Sequence, residues 1–374
     1  MKWSWRLGSI AGIALYVHAT FLLLLAWVAV GEYQSSRSVS AALGGVIFVL
    51  AVFVTVILHE LGHALTARRY GITTRDITLL PIGGVARLER MPRDPKQEML
   101  VAIAGPAVNL AIAGLLYLVL HFTGGIPAFL DSASLSASFL QRTFLARLLA
   151  VNLWLVVFNL IPAFPMDGGR VLRAFLAMRS GDYAQATERA ARIGRFFALL
   201  FGILGLFIVG NPFFVLIALF VWLGAAGEAA AAQTSATLEG VPIQRLMITD
   251  VRTLSASDPL SRPVDLILDG FQQDFPVVTN GLVEGMLTRG ALLKALRERG
   301  ETALVGHVMA RDFQQASPNE RADDVLARLK ASGVHSIPVI RNGELLGVLT
   351  MDNVGEYVMV QAALKGAKGE FVSA

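Results

Sequence analysis

His59-Glu60-Leu61-Gly62-His63 places two imidazoles one helical turn apart with a carboxylate between them. On a helix such residues share a face, so both rings can ligate one zinc ion while the glutamate serves as general base. The pentapeptide closes a strongly apolar run, 41–66. Ionisable side chains inside a membrane span are costly and usually functional. The chemistry indicated is hydrolysis of a peptide bond by a metal-activated water at or within the bilayer. A catalytic zinc needs a third protein ligand and keeps its fourth position open for water. The chain has no cysteine, which leaves His, Asp and Glu to complete the set.

The elements that must position these residues follow from composition. Of 374 residues 55% are hydrophobic and 16% charged, and the mean hydropathy is +0.59. Soluble domains carry about 25% charge. Apolar stretches long enough to span occur near 8–31, 41–66, 98–121, 143–163, 195–209 and 212–231, which predicts about six transmembrane helices. The first is too long for a signal peptide and lacks a clear cleavage site, so it reads as a retained span. Arginines crowd the 68–96 and 165–195 stretches, Arg90 and Arg93 among them. The alternate loops, 32–40 and 122–142, hold one each, Arg37 and Arg142. The positive-inside rule then puts the N-terminus, led by Lys2 and Arg6, and everything after 231 in the cytoplasm. The basic residues are spread over loops rather than gathered in a patch, which argues against nucleic acid as a partner.

This topology nominates the third ligand. Asn159-Leu160-Ile161-Pro162-Ala163-Phe164-Pro165-Met166-Asp167-Gly168 ends the fourth span at the cytoplasmic side, the same depth as His59. Broken helix at membrane depth is tolerated where it is buried in protein or lines a wet cavity. Taken alone, Asp167 reads equally well as a surface residue of a Pro-Gly turn. Beside an incomplete His-Glu-His set it reads as a ligand.

Beyond residue 240 the pattern becomes soluble α/β, and two stretches echo each other. Phe275-Pro276-Val277-Val278 and Ile337-Pro338-Val339-Ile340 each lead through an Asn-Gly turn to a second short strand and then a helix. The divisions expected are 1–231 for the membrane domain, 232–244 for a linker, 245–301 and 302–362 for the repeats, and 363–374 for a tail. The alanine-rich link 225–236 reads either as a continuation of the last span or as loose chain.

Three motifs, His59–His63, Gly105-Pro106-Ala107-Val108-Asn109 and Asn159–Gly168, make the chain resemble the site-2 protease family of intramembrane zinc metalloproteases. The subgroup it resembles carries a C-terminal pair of cystathionine-β-synthase-type (CBS) repeats. The resulting fold class is an α-helical polytopic membrane protein followed by a soluble α/β CBS pair. Lesser echoes are Tyr16-Val17-His18 in the first span and Pro81-Ile82-Gly83-Gly84, where the family often places a membrane-dipping hairpin. The resemblance implies His59, His63 and Asp167 as ligands of one Zn2+, Glu60 as the base, and Asn159 as oxyanion donor with Asn109 as the alternative. Gly105-Pro106 reads as close helix contact, and His18 as a helix-packing hydrogen bond or a functional group. Implied substrates are membrane-spanning or membrane-associated regulators, of the transcription-factor-precursor or anti-sigma-factor type, at a prokaryotic inner membrane. CBS pairs in general bind adenine nucleotides and often dimerise. Here Thr350 and Asn353 would face ATP or AMP in the second repeat, while Thr288 and Ala291 occupy the matching places in the first. Both copies lack the usual Asp, so nucleotide sensing and a purely structural or dimerising role both stay open. Two readings compete with the protease: a CBS-regulated channel or transporter, and an inactive membrane scaffold. The intact Glu60 and Asp167 argue against the scaffold.

Overall fold

The computed structural model describes residues 3–89, 92, 94–123, 143–270 and 272–372. Lys2, Arg90, Arg93 and Arg142, which enter the charge argument, lie outside the described residues. The chain forms two compact units, Met1–Ala232 and Gln233–Ala374.

The first unit opens with a hairpin, β1 (Ser4–Ile10) and β2 (Ile13–His18), and only then enters α1 (Ala19–Ser36). The predicted span 8–31 is therefore corrected, because its first eleven residues are hairpin rather than helix. Ile13, Leu15 and Val17 alternate with partly exposed Ala14, Tyr16 and His18, the period of a half-buried strand. The two-residue turn Ala11-Gly12 has φ of 52° and 83°, the positive-φ pair that tight hairpins use. Tyr16-Val17-His18 thus belongs to β2. His18 caps α1, its Nδ1 accepting from the Thr20 amide at 3.3 Å, a local role rather than a contact between helices.

α2 (Val39–Arg68) has 30 residues, about 45 Å of helix. β3 (Thr74–Leu80) and β4 (Gly83–Leu88) follow, turning at Pro81-Ile82, and then come α3 (Pro95–Phe122), α4 (Phe144–Asn159), α5 (Asp167–Ser180), α6 (Tyr183–Phe207) and α7 (Phe213–Leu238). Among the described residues α2, α3, α6 and α7 are long and apolar enough to cross a membrane, and α4 is apolar but shorter, with 16 residues. Four such helices stand against the six expected.

The strands form one sheet in the order β1-β2-β3-β4. β2 pairs with β3 in parallel, and the other pairings are antiparallel. One face packs on α2 and the start of α1: Ile13, Leu15 and Ile77 meet Leu61 and Ala64, and Val17 and Leu79 meet Phe21 of α1 and Phe53 of α2. α2 and α3 approach so closely that a Cβ on Gly62 would lie 2.8 Å from the Ala104 carbonyl oxygen.

In the second unit β5 (Phe275–Thr279), β6 (Leu282–Leu287), β7 (Ser336–Arg341) and β8 (Glu344–Thr350) form a sheet in the order β5-β6-β8-β7. α8 (Ser261–Leu268) and α9 (Arg289–Arg299) accompany the first repeat, α10 (Ala322–Ser332) and α11 (Met351–Val372) the second. Asn280-Gly281 and Asn342-Gly343 all have positive φ, as the sequence predicts for both turns. Each repeat has its own core, around Phe275 and Leu287 in one and Ile337 and Leu349 in the other. Asp274 joins them, accepting from the Arg289 amide at 2.9 Å and from Ser336 Oγ at 2.7 Å. The alanine-rich link is helical as far as Leu238, and α11 continues through most of the expected tail.

Candidate metal centre

Near the end of α2, His59 and His63 are 6% and 5% exposed, with their Nε2 atoms 3.1 Å apart. Asp167 comes to them from the segment between α4 and α5. That segment is wound tight by Ala163 N donating to the Ile161 carbonyl at 2.7 Å and Met166 N to the Ala163 carbonyl at 3.1 Å. It delivers Asp167 as the first residue of α5, with Oδ2 3.2 Å from both Nε2 atoms. Gly168 makes this possible, since a Cβ there would lie 2.3 Å from the Ile161 carbonyl oxygen.

The outer nitrogens of both rings are also engaged. His59 Nδ1 donates to Asn109 Oδ1 at 3.2 Å, and His63 Nδ1 to the Val101 carbonyl at 2.7 Å. Carbonyl oxygens only accept, so in the neutral rings both Nε2 atoms carry lone pairs. Two nitrogen lone pairs and a carboxylate therefore converge on one point, an arrangement that needs positive charge at its centre. Ligand atoms 2.0–2.2 Å from a tetrahedral zinc would stand about 3.3 Å from one another, close to the separations here. Space is kept clear as well. A Cβ on Gly105 would fall 2.2 Å from His63 Nε2 and 2.7 Å from His59 Nε2. The donor set, the tautomers and the bare glycine all fit a zinc ion. In the sequence Gly105-Pro106 suggests only close helix contact; the signal for its place beside the histidines is its spacing four residues before Asn109.

Glu60 follows His59 on α2 and turns toward the sheet. A Cβ on Gly84 of β4 would lie 2.9 Å from its Cγ and 3.5 Å from its Cδ, so β4 walls the glutamate without crowding it. Among the described residues β4 is the last strand of its sheet and has one edge without a neighbouring strand.

Residues 47–202 match peptidase family M50, and 243–298 and 305–359 each match the CBS domain. Zinc metalloprotease MJ0392 of Methanocaldococcus jannaschii is 32% identical over 361 residues, 95% of this chain and 96% of that protein. The chain belongs to peptidase family M50. Stage IV sporulation protein FB of Bacillus subtilis is 29% identical over 161 residues, 43% of this chain and 50% of that one. Among solved structures the site-2 protease from Methanocaldococcus jannaschii is 39% identical, with a TM-score of 0.44, covering 61% of this chain and 95% of that one. The M50 chain is a membrane zinc metalloprotease of the site-2 type with a pair of CBS domains. This assignment replaces the transport and scaffold readings.

Other residues singled out in the M50 sequence fall in two groups. Asn109 is fully buried behind the His59 ring, on its Nδ1 side. Asn159 is the half-buried last residue of α4. In the CBS pair, Thr350 and Asn353 bond to each other at the start of α11, and the Asn353 amide donates to Thr350 Oγ1 at 3.3 Å. Thr288 caps α9 by accepting from the Ala291 amide at 3.2 Å. A cavity of about 310 Å3 in this unit is lined by Thr249, Thr253, Val278, Gly281 and Gly347 among others, with neither Thr350 nor Asn353 in its wall.

Proposed function

We propose that this protein is an intramembrane endopeptidase in which His59, His63 and Asp167 hold one zinc ion and Glu60 is the general base. The observation that carries the reading is the convergence of three buried ligand atoms within 4.8 Å of one another. Zinc bound there would supply Lewis acidity and an acidified water at neutral pH. Glu60 takes a proton from the attacking water and passes it to the leaving nitrogen, and such proton transfer contributes typically 10²–10⁴-fold. Asn109 and the Val101 carbonyl keep both imidazoles in the tautomer whose Nε2 is free. The oxyanion role is assigned to Asn159, whose amide can donate to the developing charge.

A substrate helix satisfies its own backbone and must unwind before its carbonyl is accessible. The free edge of β4 beside Glu60 suits an unwound, extended segment, which can add to the sheet as a further strand. Substrates in this reading are membrane-spanning or membrane-associated regulators cut near the cytoplasmic face, with the N-terminus and the CBS pair in the cytoplasm of a prokaryotic cell. The charge distribution over the loops supports that orientation. ATP or AMP at the CBS pair is the proposed modulator, and the 310 Å3 cavity is at the small end of the range for such ligands.

The test is cleavage of tagged single-span proteins by membranes holding wild-type enzyme or Glu60→Gln, with zinc measured in both. Loss of cleavage with zinc retained is expected. Cleavage indifferent to Glu60 would sink the assignment of the base.

A further inference from the structure

Arg173 lies six residues after Asp167 on α5 and is 3% exposed. Its Nε and Nη2 donate to Glu98 Oε1, the former at 2.8 Å, and its Nη1 donates to Glu228 Oε2 at 2.7 Å. Tyr183 OH donates to the same Glu98 oxygen at 3.2 Å. The guanidinium also sits 4.9 Å from the ring of Phe164, a fully buried residue of the segment that delivers Asp167. One side chain thus touches α3, α7 and the approach to the third ligand.

α3 is the common frame. Glu98, Val101, Gly105 and Asn109 recur at helical spacing and are all buried, so they form one stripe. Val101 and Asn109 brace the two histidines, Gly105 clears the centre, and Glu98 receives Arg173. Stability alone is a poor account of this cluster. Buried ion pairs often add less than apolar residues of the same volume, and Glu98 keeps its other oxygen buried with no partner. A fixed geometry is what a guanidinium bridging two carboxylates provides, and lysine cannot reproduce it.

We propose that Arg173 is the positioning residue for Asp167, clasping α5 to the helix that braces the histidines, and that Glu228 makes this clasp depend on α7. The proposal rests on Asp167 being a metal ligand. α7 is the helix through which the chain leaves the first unit for the CBS pair. A shift of α7 along its axis therefore pulls on Arg173 through Glu228, and through α5 on the third ligand.

The experiment uses the full chain in lipid nanodiscs, with zinc affinity from chelator competition and the visible bands of the cobalt-loaded protein as a reporter of ligand geometry. Arg173→Lys is expected to weaken zinc about tenfold, the lower end for residues that support metal ligands, and to shift the cobalt bands. Should Arg173→Lys misfold, the Glu98→Leu/Arg173→Met pair removes the clasp and leaves only the part-exposed Glu228 carboxylate without its partner, and the folded variant is expected to show the same two changes. Glu228→Gln is expected to shift the bands in the same direction with a smaller loss of affinity. Wild-type affinity and bands in folded Arg173→Lys or Glu98→Leu/Arg173→Met would overturn the clasp, and unchanged bands in Glu228→Gln would overturn its dependence on α7. Asp167→Asn separates the two levels: zinc affinity unmoved by that change refutes the ligand assignment itself.

Discussion

Replacing Gly105 by alanine adds one methyl carbon at the place where the ligand nitrogens meet. Built on the present backbone, it would sit 2.2 Å from His63 Nε2, 2.6 Å from His63 Cε1 and 2.7 Å from His59 Nε2. Ordinary contact begins at 3.4 Å, so relief requires a movement of more than 1 Å. Parting the helices would open the close packing of α2 on α3 at Gly62 and Ala104. Rotating the rings instead breaks the bonds from His59 to Asn109 and from His63 to Val101. Loss of a supporting bond alone costs 10–100-fold in metal affinity. Displacing the ligands themselves should reach at least the upper end, about 2.7 kcal/mol. The assay is zinc stoichiometry and chelator competition on purified protein, with Gly114→Ala as control. Gly114 is on the same helix, and a Cβ there meets nothing within 4 Å. If Gly105→Ala binds zinc as tightly as Gly114→Ala does, the bare glycine is not what keeps the centre open and the geometric argument fails.

Three further outcomes are expected. Gly84→Val pushes into Glu60 Cγ and should lower kcat while zinc content stays at wild type; joint loss of both would show a general collapse instead. Asn109→Ala frees His59 Nδ1 and should weaken zinc 10–100-fold, with Asn109→Asp recovering most of the loss because it restores the acceptor; equal loss in both variants refutes the orienting role. Asp274→Ala unpairs the Arg289 amide and Ser336 Oγ. It should destabilise the second unit by about 1–3 kcal/mol, read as faster amide exchange in β5 and β7 with no change in β3.

Residue types with obligatory chemistry were the most legible in the sequence. His59, Glu60 and His63 declare themselves by spacing, and Asp167 by the depth at which its segment leaves the bilayer. The paired Asn-Gly turns likewise announce both CBS hairpins, since positive φ at consecutive residues selects those types. The N-terminal hairpin was hidden because an apolar run long enough to span masks a period of two, although Ala11-Gly12 and the alternation through Ile13–His18 were present in the chain. Gly105 and Gly84 were opaque for another reason. Their contribution is absent volume, and only coordinates reveal what would have filled it. Arg173 and Glu98 are 75 residues apart, and no local pattern links them.

The parallel pairing of β2 with β3 also bears on how the enzyme is made. These strands are neighbours in the sheet, yet the chain between them is α1 and α2. The sheet can close only after that whole excursion has been completed, and β4 can then settle beside Glu60. Asp167 emerges from the ribosome later still. In a chain whose first helices are misplaced β2 cannot meet β3, and the sheet whose last strand walls Glu60 is left unbuilt.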